Sequence, residues 1–136
     1  MSDSVRRVIF ICTHNSARSQ MAEGFMNSRI GGRYRAFSAG TRPSVVNPYA
    51  VLVMGEVDID ISNQRSKGLQ EFDGWNFDTV VTVCSDVEET CPYVPGREHI
   101  HRGFDDPSRA SGFEEEIIEK FRRIRDEIWN WMKDSF

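Results

Sequence analysis

The amino-acid sequence predicts a single α/β domain built on a parallel sheet, and three observations carry that reading. Val8-Ile9-Phe10-Ile11 is apolar without alternation, the pattern of a strand buried on both faces. Thr79-Val80-Val81-Thr82-Val83 is a second run of β-branched residues, and each run leads directly into a cysteine, Cys12 or Cys84. Helical patterns lie between and after these runs, so strands and helices alternate along the chain, as in βαβ units.

The elements follow in order. After the first strand comes a small polar segment, Cys12 to Arg18, and then Met21, Ala22, Phe25, Met26 and Ile30 recur at helical spacing until Gly31-Gly32 stops them. Arg35 to Ala39 is a second strand, closed by Gly40. Asn47 is positioned to cap a helix whose first turn holds Pro48, running to Gly55, and Ser66 to Phe72 reads as a shorter helix. Beyond Cys84, the stretch from Ser85 to Gly112 is broken by prolines and glycines, with one strand-like piece at Glu98 to Arg102. Loops of that length inside a compact domain tend to be functional. Ile117, Phe121, Ile124, Ile128 and Trp131 form one apolar stripe on a final helix, which is too short for a coiled coil and is expected to dock on the sheet.

Composition narrows the function classes. A chain of 136 residues, 39% hydrophobic and 28% charged, is one globular domain spanning 1–136, large enough to bury roughly two-thirds of its unfolded surface without a disulfide or metal staple. The net charge of −4 argues against a general nucleic-acid binder. No apolar run is long enough for a membrane span, and the first residues lack the apolar core of a secretory signal, so a cytoplasmic protein is expected. Three cysteines, an odd number, fit poorly with a secreted disulfide framework and point to a reducing compartment.

Cys12 and Arg18 form a Cys-x5-Arg pattern with Ser19 next to it. A tight loop of backbone N–H groups running into a helix N-terminus binds a tetrahedral anion, and an arginine adds a two-pronged donor. The same positive field, with the Ser19 hydroxyl, stabilises a Cys12 thiolate, so nucleophile and oxyanion cradle are one object. The rival phosphate loop, Gly-x4-Gly-Lys-[Ser/Thr], is excluded because this segment has neither glycine nor lysine. Cys84 and Cys91 leave three readings open: unrelated thiols, a zinc site with His99 and His101 whose spacing fits poorly, or a redox pair. In a parallel sheet Cys12, Cys84 and the acids Asp105-Asp106 all reach the carboxyl edge, where open α/β sheets bind ligands. An acid there can protonate a departing oxygen, and the residues alone leave the choice between Asp105 and Asp106 open.

Taken together, Cys12-Thr13-His14-Asn15-Ser16-Ala17-Arg18-Ser19-Gln20-Met21-Ala22-Glu23-Gly24 resembles the loop of the low-molecular-weight protein tyrosine phosphatase superfamily. Val81 to Asp86, Cys91-Pro92, Gly103 to Pro107, Ser38-Ala39-Gly40 and Val57 to Ser62 are similar to its thioredoxin-coupled arsenate reductase branch. The resemblance implies a four-stranded parallel sheet flanked by helices, with Thr13, His14, Asn15, Ser16, Ala17 and Arg18 holding arsenate. Cys12 is implied as the nucleophile and Asp105 as the acid. Cys84 then attacks Cys12 and releases arsenite, and Cys91 attacks Cys84 to leave a disulfide for thioredoxin to reduce. No bound cofactor or metal is expected; the expected partners are arsenate and thioredoxin, with no nucleic acid or membrane, and the chain is expected to be a monomer. The segment from Cys84 to Pro95 is expected to move, because Cys84 must reach two sulfurs in turn.

The sequence also departs from the family. His14 stands where relatives often carry glycine, and Ala17 where reductases often carry an extra cysteine. Lys67 lies where some relatives place an aspartate that helps hold a potassium ion near Asn15 and Ser38; a lysine there either replaces the ion or points to solvent. A phosphatase is the main rival function, with an oxyanion-binding redox sensor behind it. Against the phosphatase, Ser108-Arg109 follow Pro107 where tyrosines that grip an aromatic substrate are common. Weak phosphatase activity is expected as a by-product.

Overall fold

The computed structural model describes residues 5–85 and 94–136. Cys91, and with it the middle of the segment expected to move, lies outside the described residues. Four strands, β1 (Arg6–Cys12), β2 (Tyr34–Gly40), β3 (Phe77–Thr82) and β4 (Gly96–His101), form one sheet of order β2-β1-β3-β4 in which every pairing is parallel. The α-helices are α1 (Arg18–Phe25), α2 (Pro48–Gly55) and α3 (Glu114–Ser135).

The central strand explains its own composition. Val8, Phe10 and Cys12 face a core shared with Met21 and Phe25 of α1, Val53 and Met54 of α2, and Phe121, Ile124 and Ile128 of α3. Ile9 and Ile11 point the other way, into a second cluster with Phe77 and Val80. All three α-helices therefore share one face of the sheet. The opposite face is covered by rings from Phe37, Phe72, Trp75 and Phe77, whose centroids lie 5.1–6.0 Å apart. A strand covered on both sides has no polar face to show, which is why its pattern does not alternate.

Local signals account for the helix ends. The Asn47 side chain accepts a hydrogen bond from the Tyr49 N–H, with Pro48 in the first turn of α2. At α3, the Glu116 carboxylate accepts from the Phe113 N–H, and Glu114, Glu115 and Glu116 place negative charge at the positive end of the helix dipole. Two elements differ from the sequence reading. The first helical pattern is α-helix only to Phe25; Met26–Ile30 is a π turn closed by the Gly31 N–H donating to the Met26 carbonyl, with Gly31 and Gly32 at positive φ. The expected helix from Ser66 shrinks to a 3-10 turn, Leu69–Phe72. The backbone at Lys67 is occupied otherwise: its carbonyl accepts from Gly40 N–H, its N–H donates to the Asn15 side chain, and Gly68 bridges to Gly40.

Register puts Cys12 opposite Gly40 at the carboxyl edge. A Cβ on Gly40 would stand 2.5 Å from the Thr13 carbonyl oxygen, 2.8 Å from the Asn15 nitrogen and 2.9 Å from the Cys12 carbonyl oxygen. Those are backbone atoms that cannot swing aside. Gly40→Ala is therefore expected to cost about 1–3 kcal/mol of stability through overpacking, read as a lower urea midpoint at unchanged slope.

Candidate active site

The loop from Cys12 to Arg18 is held from outside by its carbonyls. Thr13 O accepts from the Arg42 N–H at 2.9 Å, His14 O from Ser66 Oγ at 2.9 Å, Asn15 O from Gln20 Nε2 at 3.0 Å, and Ser16 O from the Asn47 N–H at 2.9 Å. In a planar trans peptide the N–H points opposite to the C=O. Turning four successive carbonyls outward therefore aims the N–H groups of His14, Asn15, Ser16 and Ala17 to the inner side. No side chain caps the start of α1, which follows at Arg18. Inward N–H groups leading into a helix N-terminus make a concave anion site.

Asn15 is the pivot of this turn. It is fully buried and adopts φ +49°, a left-handed conformation that asparagine tolerates better than most residues. Its Oδ1 accepts from Lys67 N–H and from Gln20 Nε2, both at 2.9 Å, and its Nδ2 donates to Ser19 Oγ at 2.8 Å. Ser19 Oγ also lies 2.8 Å from Cys12 Sγ, and toward a Cys12 thiolate, which can only accept, its hydroxyl is the donor. The structure thus brings Ser19 against the thiol at the end of β1.

Arg18 is 2% exposed, so its charge needs partners. One guanidinium nitrogen donates to the Phe104 carbonyl at 3.2 Å, and another lies 3.5 Å from Asp106 Oδ2. Phe104 is brought there by the end of β3, because Arg102 N–H donates to Thr82 O and Phe104 N–H to Val83 O. Cys84, at the start of the next turn, is a fully buried thiol whose Sγ lies 3.7 Å from the Ile11 carbonyl, on the peptide that leads into Cys12.

The two acids part company: the structure sets Asp106, and not the Asp105 expected from sequence, beside Arg18. Asp105 is 70% exposed and turns toward α3, with Oδ2 3.6 Å from Lys120 Nζ and 3.9 Å from Arg123. Asp106 is the residue aimed at Arg18. Its Oδ1 accepts from the N–H and Oγ of Ser108, capping the 3-10 turn Pro107–Arg109, and this fixes the carboxylate. Neighbours in an extended segment point to opposite sides, so only one can face the loop. The legible signal was the cap itself: an aspartate directly before Pro at the first position of a turn.

His14 is exposed, with Nδ1 3.1 Å from Arg42 O. His99 Nε2 lies 2.7 Å from Val94 O and His101 Nδ1 2.7 Å from Thr82 Oγ1. Among the described residues, no three His, Cys, Asp or Glu side chains gather as a metal cluster. Lys67 points inward rather than to solvent. Its Nζ lies 3.0 Å from Arg65 O, 3.4 Å from Ser38 Oγ and 3.7 Å from Glu23 Oε1, while Ser38 Oγ donates to Glu23 at 2.5 Å. Burial pushes the Glu23 carboxyl above its ordinary range, offset in part by the Lys67 charge and the Ser38 hydrogen bond; burial likewise lowers the Lys67 ammonium.

This combination of cradle, thiol and sheet has known counterparts. Residues 7–134 match the family described as low molecular weight phosphotyrosine protein phosphatase. The chain belongs to this family. Within the family's sequence range, an arsenate reductase of Bacillus subtilis strain 168 is 47% identical over 128 residues, covering 93% of this chain and 92% of that protein. A solved structure described as an arsenate reductase in the phosphate binding state superposes with TM-score 0.81 at 32% identity, covering 96% of this chain and 95% of that one. A thioredoxin-dependent arsenate reductase of Corynebacterium glutamicum superposes with TM-score 0.64 at 28% identity, covering 100% of this chain and 66% of that one.

The site predicts separable costs at Asn15. Asn15→Gly keeps the left-handed backbone but takes the acceptor from the Lys67 N–H, while Gln20 Nε2 retains the Asn15 and Arg65 carbonyls, for an expected loss of about 1–3 kcal/mol. Asn15→Ala adds the left-handed penalty, about 1–2 kcal/mol more. Urea unfolding of the two variants should rank them in that order.

Proposed function

We propose that this protein reduces arsenate to arsenite with three cysteines and takes its electrons from reduced thioredoxin. The observation that supports this most directly is Cys84, a buried thiol set against the peptide that carries Cys12. Hydrolysis of a phosphate ester needs one thiol; a reduction needs a second thiol within reach of the first. The arsenate reductases that match more than nine-tenths of this chain favour the same reading, and the Corynebacterium neighbour favours thioredoxin as the donor.

In this mechanism arsenate lies against the N–H groups of residues 13–17 and the Arg18 guanidinium. The Cys12 thiolate forms a bond to arsenic, and a hydroxyl leaves as water with a proton from the acid, a role we give to Asp106 rather than Asp105. Cys84 thiolate then attacks Cys12 sulfur. A Cys12–Cys84 disulfide forms, the sulfur–arsenic bond breaks, and its electron pair stays on arsenic, which leaves as arsenite. Cys91 attacks Cys84, restoring the Cys12 thiolate and leaving a Cys84–Cys91 disulfide. A thioredoxin dithiol reduces that disulfide and is itself oxidised. A reducing cytoplasm suits such a cycle.

Arsenate-dependent NADPH oxidation through thioredoxin reductase and thioredoxin tests the scheme. The wild type should turn over repeatedly, and Cys91→Ser should stop after one round with a trapped Cys12–Cys84 disulfide visible by mass. Aryl-phosphate hydrolysis without arsenate-dependent turnover would instead make the protein a phosphatase. In the same assay, Asp106→Asn is expected to slow turnover by about 10²–10⁴-fold, while Asp105→Asn stays near wild type.

A further inference from the structure

Beneath the loop lies an ion pair that the mechanism above does not use. Glu23 on α1, Ser38 on β2 and Lys67 before the Leu69–Phe72 turn meet in the interior, with side-chain exposures of 14% for Glu23 and 10% for Lys67. The ammonium is surrounded by oxygen: Arg65 O, Ser38 Oγ and Glu23 Oε1. The same residue's backbone N–H donates to Asn15 Oδ1, and its carbonyl accepts from Gly40 N–H. From Lys67, an unbroken path of hydrogen bonds leads through Asn15 and Ser19 to Cys12 Sγ.

We infer that Lys67 is a positioning residue for the oxyanion loop, its ammonium serving as a built-in cation that cancels the buried Glu23 charge behind an anion site while its backbone holds Asn15. This rests on the anion-binding part of the proposed function and deepens it. Glu23 sits on α1, whose N-terminus faces the loop, so an uncancelled carboxylate there opposes an incoming oxyanion. Burial already disfavours the ionised carboxyl, and the nearby lysine charge works against that effect. Ser38 alone can donate only one hydrogen bond. Arg65 does not substitute for Lys67 in this role: its guanidinium is turned outward to Glu71.

The role separates charge from shape. Lys67→Met keeps most of the buried stem and removes the charge, and its backbone N–H remains. Glu23→Gln removes the opposing charge, and the double variant removes both. Inorganic phosphate is the probe, measured by calorimetry on the reduced full chain. Lys67→Met is expected to bind phosphate about tenfold more weakly, the order of one uncancelled charge felt through partly buried protein. The double variant should recover most of that loss, and Glu23→Gln alone should bind at least as well as wild type. Unchanged affinity in Lys67→Met overturns the inference. So does a loss of equal size in the single and double variants, which would mark Lys67 as packing only. If Lys67→Met does not fold, weaker binding by Glu23→Gln still overturns it and binding at or above wild type still supports it. Phosphate binding involves no reduction step, so a failure of arsenate turnover in the wild type leaves this result standing.

Discussion

The site depends on one conformational constraint: four consecutive carbonyls, from Thr13 to Ser16, must face away from the centre of their own loop. Each needs a donor on the outside, and the donors come from distant parts of the chain: Arg42, Ser66, Gln20 and Asn47. A left-handed residue must sit in the middle, and Asn15 fills that place while spending its side chain on three further bonds. Gly40 is needed because β2 ends in contact with the loop backbone. Much of the architecture around the carboxyl edge, including the bridge from Gly68 to Gly40, is there to keep those carbonyls turned.

The same edge shows how a buried charge is tolerated. A guanidinium as enclosed as that of Arg18 costs several kcal/mol unless it is paired. Here a main-chain carbonyl and one carboxylate meet it, and both belong to the single turn that follows β4. The neighbouring aspartate spends its charge on Lys120 and Arg123 at the surface, where such pairs contribute little. Two residues of identical chemistry thus have unrelated surroundings because the backbone alternates.

Sequence patterns disclosed most of this where the cause was local. The unbroken apolar run at Val8, the Asn47-Pro48 start and the stripe through Phe121 and Ile128 each reflect short-range rules, and each appears in the structure. The placement of Cys12, Cys84 and the Asp105-Asp106 segment after parallel strands, at one sheet edge, also followed from strand order alone. What escaped were features set by distant contacts. Ser66 and Lys67 look helical in isolation but are drawn into bonds with β2 and the loop. The inward turn of Lys67 depends on Glu23 and Ser38, which no spacing rule links to it. Which aspartate meets Arg18 was misread by one residue, because two adjacent aspartates look alike until the turn after them is recognised as capped by the second.

The strand order carries a consequence for how the protein is made. β1 leaves the ribosome before β2 and β3, yet it lies between them in the sheet. Cys12 therefore waits, as an uncovered thiol, for partners encoded far downstream. Asp106 is 94 residues later, and α3, which closes the core, begins only at Glu114. At ordinary synthesis rates that interval lasts about 5–20 s. During it a thiol that the finished fold buries stays open to solvent, so a reducing environment suits this chain before it has a structure to protect.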